Sequence, residues 1–533
     1  MFSLLSKYLL LFVFCFSVGQ IRAGNEPGKP RLIISIVIDG LQTEHLMTLW
    51  NEFGKGGFKR LYGEGAVCRN TYYPILSSGN AGDYATIVTG TTPYYHGISG
   101  NLLYNTKTSS LVPCLFDPLA PGINTSETVS PRALLATTVA DELKINSGGK
   151  SKVYSIGIHT NEAVLLAGHA ADGAVWLSDK NFLWATTSFY PSGLPQWADR
   201  MNMDNAITTS AYSNWQPLNP VGSYQFPPRH RDALRGFIYF TTGASPTEII
   251  ANYKKTPLVN SVVKNLALRA LDAEQMGLSG NTDYLGLEFT LQVQGDDSYE
   301  LASAEKEDSY LRLDSELSDL LSKIDEKLGL NNILVMITAT QGENHSQATL
   351  NAYRINTGRF VPSKSMSLLN LYLMAVYGQN QWVTGYNNKN VYLDRTTIEK
   401  KNISLPEIQQ RCATFMLDLQ GVQTACSADQ IMMADGKGYD EQARMKNSFS
   451  KGHSGDVVFS LMPGWVEAND DGSTVAISNK KESYVPLILF GYTIKPQIIP
   501  SASITDIAPT LSYLLQISNP NACTGRGIFL EIK

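Results

Sequence analysis

The run from Arg31 to Asp39 is continuously apolar and largely β-branched, and it stops at a carboxylate followed by Gly40. A strand apolar on both faces belongs at the centre of a parallel sheet, and sites in open α/β sheets form at the carboxyl ends of such strands. Asp39 therefore stands at an expected site edge. Similar runs predict strands at Val153 to Ile158, Tyr284 to Phe289, Ile333 to Thr338 and Val485 to Gly491. A helix is predicted where Tyr310, Leu313, Leu317, Leu320, Leu321, Ile324 and Leu328 recur at three- and four-residue spacing and end at Gly329. Strands alternating with helices predict the α/β class: a doubly wound, mostly parallel central sheet with helices on both faces.

Two stretches fit this alternation poorly. Residues of about 170–260 carry Trp176, Trp184, Tyr190, Trp197, Trp215, Tyr224, Pro227 and Pro228 and are expected to form an inserted cap. Residues of about 345–475, with Trp382, Tyr386, Tyr392 and Trp465, are expected to form a second insertion. Aromatic side chains usually serve packing, so the cap aromatics are expected to face the core, with a ligand platform as the alternative.

The first residues add a targeting signal. Lys7 precedes an apolar run from Tyr8 to Phe16, followed by small residues at Ser17-Val18-Gly19, with a further cleavage site after Ala23. This reads as a secretory signal peptide over residues 1–19 or 1–23, and no later run approaches the roughly 20 apolar residues of a membrane span. The 533 residues, 43 % of them hydrophobic, suffice for a large core, and a net charge of -5 without a long basic run argues against nucleic acid as a partner. Cys68, Cys114, Cys412, Cys426 and Cys523 remain after cleavage. Cys412 with Cys426 is the most local candidate disulfide, and no Cys-x-x-Cys metal or redox motif exists.

Several ordered motifs span the mature chain. They are Ile38-Asp39-Gly40, Thr89-Gly90-Thr91-Thr92-Pro93 with His96-Gly97-Ile98 and Gly100-Asn101, Ser454-Gly455-Asp456, Pro463-Gly464-Trp465, Val485-Pro486-Leu487-Ile488, and Thr505-Asp506-Ile507-Ala508-Pro509 with Cys523-Thr524-Gly525-Arg526. In this the chain resembles the alkaline phosphatase superfamily, in particular its exported phosphate-irrepressible phosphomonoesterases and the related type I phosphodiesterases and nucleotide pyrophosphatases. The resemblance implies a Ser or Thr nucleophile at a helix N-terminus between two zinc ions, which clamp the attacking and leaving oxygens of in-line phosphoryl transfer.

At the positions that the resemblance maps to this chemistry, other residues stand. The nucleophile position falls on Asn80, whose carboxamide forms no phosphoester and is expected to cap the helix. The zinc-binding Thr-Ala-Asp-His-Gly becomes Thr338-Ala339-Thr340-Gln341-Gly342, and a late zinc-binding His becomes Val475. A further family segment with an Asp and a His is replaced around residues 289–295, leaving Asp39 as the clearly retained ligand. A Lys-x-Arg pair that contacts phosphate becomes His159 and Asn161, removing the bidentate guanidinium suited to phosphate oxygens. Asn101 survives where the family hydrogen-bonds a phosphoryl oxygen, although a Gly-Asn turn accounts for it equally. Ser77 and Ser78 are nearby replacement hydroxyls, and Asp296, Asp297, Glu343 and His345 are replacement ligands for a single site. His96, His159, His169, His230 and His453 fall at no ligand position and are expected to be structural or surface residues.

The expectation is an exported pseudoenzyme that binds a small ligand or an envelope protein, without cofactor. The alternatives are a zinc-dependent phosphomonoesterase or phosphodiesterase with relocated ligands, and a structural component of a cell-envelope assembly. Likeness of the cap to bacterial phosphomonoesterases points to a bacterial periplasm or exterior.

Overall fold

The strand Leu32–Asp39 (β1) is buried along its whole length and pairs in parallel with strands on both sides. In the computed structural model, which describes residues 28–76, 79–229, 237–293, 301–342, 347–476 and 484–532, it sits at the middle of the largest sheet. The other strands are Ala66–Tyr72 (β2), Gly122–Ile123 (β3), Val153–Gly157 (β4), Gly173–Leu177 (β5), Trp184–Thr187 (β6), Asp283–Thr290 (β7), Ile333–Ala339 (β8), Tyr484–Gly491 (β9) and Gln497–Ile499 (β10). Their order is β10-β2-β9-β8-β1-β7-β4-β5-β6-β3, with Ala502–Ser503 also on β2. From β8 to β5 all neighbours are parallel, and the strands beyond at either side, β9 and β6, pair antiparallel. This is the α/β architecture expected from the sequence, except that β9 reverses direction, which an apolar run does not reveal.

Helices Asn80–Thr89 (α1), Thr160–Ala167 (α2), Pro246–Lys254 (α3), Leu258–Ala273 (α4), Ala304–Leu328 (α5) and Ile507–Leu515 (α6) are among those around the sheet. In α5 every residue of the predicted apolar stripe is buried, and the helix stops at Gly329 with φ 73°. It begins six residues before Tyr310, at a Ser303 cap that accepts the Lys306 N–H, and its first turns hold buried Glu305, Glu307 and Asp308. These carboxylates accept from the inserted segment: Glu305 from the Arg229 N–H and Tyr239 hydroxyl, Glu307 from the Gln225 N–H, and Asp308 from Trp215 Nε1, the Leu218 N–H and the Tyr224 hydroxyl.

The stretch expected as a cap is thus divided. Residues 173–187 supply β5 and β6 of the central sheet, while residues beyond 205 wrap over α4 and α5. Trp176, Trp184, Tyr190, Trp197 and Trp215 are all buried in the main hydrophobic cluster, so the aromatics pack. Within residues 345–475, Val383–Asn387, Asn390–Leu393, Val422–Ser427 and Val457–Leu461 form a four-stranded sheet with its own apolar cluster around Trp382 and Ile408. Cys412 and Cys426 lie in different clusters and both are free thiols, which corrects the expected pair. Among the described residues no helix is long and apolar enough to cross a membrane. The signal-peptide residues 1–23 lie outside those described.

Candidate functional site

Parallel β1 and β7 are in register so that Asp39 lies opposite Thr290, placing Glu288 two residues back on the adjacent strand. The chain leaving β4 passes through Ile158 and His159 into α2, and α1 starts at Asn80. These segments meet at the carboxyl end of the sheet, below a cleft of about 600 Å³ lined by Asn80, Asn101, His159, Asn161, Glu162, Glu127, Asp179 and Gln292. Of the positions singled out in the sequence, Asn80, Asn101, His159 and Asn161 therefore share one wall system. Phe116 is the aromatic ring besides His159 among those lining it, and none of the described aromatics of residues 170–260 lines this cleft.

Asn80 does not cap α1. It is the first residue of the helix, Gly79 holds the cap position with φ 110°, and the Asn80 Nδ2 donates to Asp39 Oδ2 at 2.7 Å. Asn101 serves the helix end instead, its Oδ1 accepting the Ala81 N–H at 3.0 Å. That position is closely fitted, since a Cβ on Gly79 would lie 2.9 Å from Asn101 Oδ1. Gly79→Ala is accordingly expected to cost about 1–3 kcal/mol in urea unfolding and to speed exchange of the Ala81 amide. An unchanged midpoint would show that the Gly79 conformation carries no strain.

Asp39 is fully buried and also accepts from the Tyr84 hydroxyl at 3.2 Å. Burial, then Glu288 and Glu162, hold its pKa well above the usual carboxylate range, and the hydroxyls of Tyr84 and Thr340 ease the shift. Glu288, equally buried, accepts the Ile158 and His159 N–H groups on Oε2 at 2.7 and 2.9 Å, and its Oε1 lies 2.6 Å from His159 Nδ1. Burial works against the imidazolium, yet Glu288 outweighs it and raises the His159 pKa. Glu162 is pushed up to about 7 by burial and by Glu288. Asp39, His159 and Glu288 each offer one ligand atom within 4.8 Å of the others. His159 lines the cleft with its ring against Glu288, while His96 and His169 are structural. His96 is buried against the Thr86 hydroxyl, and His169 is held by Asp141 and the Leu134 carbonyl.

Thr340 and Gln341 follow β8 and are buried. The Gln341 N–H and Nε2 donate to the two oxygens of Asp83 on α1, at 2.7 and 2.8 Å. Burial pushes Asp83 up to about 7 against those two bonds. Val475 lies in Thr474–Ala476, a strand of a separate three-stranded sheet. Ser77, Ser78, Asp296, Asp297, Glu343 and His345 lie outside the described residues.

Sequence reasoning missed Glu288, Glu162, Asp83 and Lys254. Glu288 had a signal, because a charge in the middle of an otherwise apolar central strand requires a partner. Lys254, at the end of α3, had none; it arrives from the inserted segment to meet Asp179 and the Leu177 carbonyl.

A central parallel sheet whose carboxyl end sets a buried aspartate against a helix N-terminus, beneath an open cleft, is the alkaline-phosphatase-like α/β architecture. The chain belongs to the type I phosphodiesterase / nucleotide pyrophosphatase family, whose sequence profile matches residues 33–484. It is similar to alkaline phosphatase PafA of Elizabethkingia meningoseptica, 29 % identical over 98 % of both chains. It is also similar to alkaline phosphatase PhoV of Synechococcus elongatus, 28 % identical over 94 % of this chain and 92 % of the relative. The crystal structure of wild-type PafA superposes with a TM-score of 0.83 at 27 % identity, covering 95 % of this chain and 99 % of that one.

Proposed function

We propose that this protein is an exported, noncatalytic member of its family that binds a small polar ligand in the cleft. The observation that carries the reading is the Asn80 carboxamide at the nucleophile position, donating to Asp39 at 2.7 Å. An amide nitrogen whose lone pair is delocalised does not attack phosphorus. The donor set also departs from a paired zinc site. Asn80 Nδ2 turns an N–H toward Asp39, and Gln341 Nε2 turns one toward Asp83, where zinc requires lone pairs from N, O or S ligands. The open cleft favours a binding role over a purely structural one. Its acidic and amide lining suits an uncharged polar group or a cation better than a phosphate dianion.

A second reading, a metal-dependent phosphoester hydrolase with relocated ligands, is favoured by the approach of Asp39, His159 and Glu288. The test is turnover of p-nitrophenyl phosphate and bis-p-nitrophenyl phosphate by wild type and Asn80→Thr, each loaded with zinc and desalted. Both proteins are expected to stay at the rate of the buffer control. Zinc-dependent turnover by wild type overturns the noncatalytic reading, and turnover by Asn80→Thr alone overturns the departure from a zinc site.

A further inference from the structure

We propose that Asp39, His159 and Glu288 form a binding site for one divalent transition-metal cation, distinct in its ligands from the paired zinc site that the family resemblance implies. It rests on the reading above only in sharing the cleft, and it requires no turnover.

The donors come from three elements: the end of β1, the residue preceding α2, and β7. That they converge within 4.8 Å is a product of the sheet register and of the chain turning back from β4. Two carboxylate oxygens with one imidazole nitrogen suit a first-row divalent metal such as Mn²⁺ or Zn²⁺, whereas Ca²⁺ takes an all-oxygen shell. Only part of a coordination sphere is supplied by the protein. His159 lines the cleft with 30 % of its side chain exposed, and Asp39 and Glu288 lie buried beneath it, so the remaining positions open toward a bound ligand.

Charge supplies the driving force. Asp39 and Glu288 are fully buried and Glu162 nearly so, and His159 is the cationic partner in contact with Glu288. Lys254 is engaged with Asp179 and the Leu177 carbonyl. Carboxylates removed from water cost several kcal/mol each unless a proton or a cation compensates them, and a dication compensates more than one at once. Binding takes the place of the hydrogen bond between His159 Nδ1 and Glu288 Oε1, which lie 2.6 Å apart. Metal bonds of about 2 Å at roughly a right angle put two ligand atoms about 3 Å apart, so a few tenths of an ångström of ring movement fits the His159–Glu288 pair to the ion.

Mature protein stripped with chelator and desalted is titrated with Mn²⁺, with free ion followed by electron paramagnetic resonance. The expected result is one site per chain with micromolar affinity, and ¹⁴N modulation from an imidazole in the pulsed spectrum. His159→Gln keeps an N–H for Glu288 but lacks the imidazole. It is expected to melt close to wild type in chelator, to weaken binding at least about tenfold, and to lose the modulation. No binding up to millimolar Mn²⁺, or equal affinity and modulation in His159→Gln, overturns the site. The two readings fail separately. Absent Mn²⁺ binding leaves the noncatalytic reading standing, and metal-dependent turnover that His159→Gln abolishes overturns that reading but not the site.

Discussion

Asp308→Ala is expected to destabilise the protein by about 4 kcal/mol and to release the inserted segment before the rest of the chain unfolds. Asp308 is fully buried at the start of α5 and accepts from Trp215 Nε1, the Leu218 N–H, the Tyr224 hydroxyl and Arg312 Nε at 2.6–2.7 Å. The helix N-terminus adds favourable field to the carboxylate. Truncation leaves four donors without an acceptor, one of them a guanidinium, and each buried unsatisfied donor costs about 1–3 kcal/mol before relaxation. Because these donors lie in residues 215–224 and α5, the loss is local first. Thermal denaturation, with hydrogen exchange read at Trp215 and Leu218, checks it. A melting temperature within 2 °C of wild type, taken as roughly 1 kcal/mol or less for a chain of this size, would refute the clamp.

The second large effect is a pH dependence set by Asp83. Its pKa near 7 in the folded protein compares with 3.8 ordinarily, so the native state holds a proton that the unfolded chain releases. Between about pH 4 and pH 7 the folded form binds more protons, and its stability falls as pH rises. The loss is about 1.4 kcal/mol per unit, up to about 4 kcal/mol. Glu162, also near 7, acts in the same direction. Asp83→Asn removes one of the two contributions. An Asn Oδ1 still accepts the Gln341 N–H, and its Nδ2 can serve Gln341 Oε1, which is buried without a partner. The variant is expected to exceed wild type by about 2 kcal/mol at pH 8 and to match it near pH 5, the lost acceptor offsetting part of the gain. Urea unfolding at several pH values tests this; parallel stability curves for the two proteins would rule it out.

Much of the fold was legible because a central parallel strand is apolar throughout and a packed helix repeats every three or four residues. The strands at β1, β4, β7, β8 and β9 and the buried stripe of α5 follow from that pattern. Short β5 and β6 were hidden in a Trp- and Asn-rich stretch that reads equally as an insertion. The first turns of α5 were hidden because Glu305, Glu307 and Asp308 look like a solvated face until donors from the inserted segment are placed over them. At the site, Asn80, Asn101, His159 and Asn161 were legible through motif spacing, and all four line one cleft. Asn80 was assigned the wrong local role. A good N-cap residue one position too far along the helix has its side chain past the free N–H groups, where it meets Asp39 instead.

By itself the sequence determined the α/β class and the family and singled out the residues expected at the site, since these depend on local pattern and order along the chain. Only the tertiary structure decided what those residues do. Register across the sheet brought Glu288 under His159 and beside Asp39, the close approach at Gly79 gave the helix end to Asn101, and Gln341 turned to Asp83. The reason is physical: a buried polar group must find its partner in space, and partners such as Asp83 and Gln341 lie 258 residues apart in the chain.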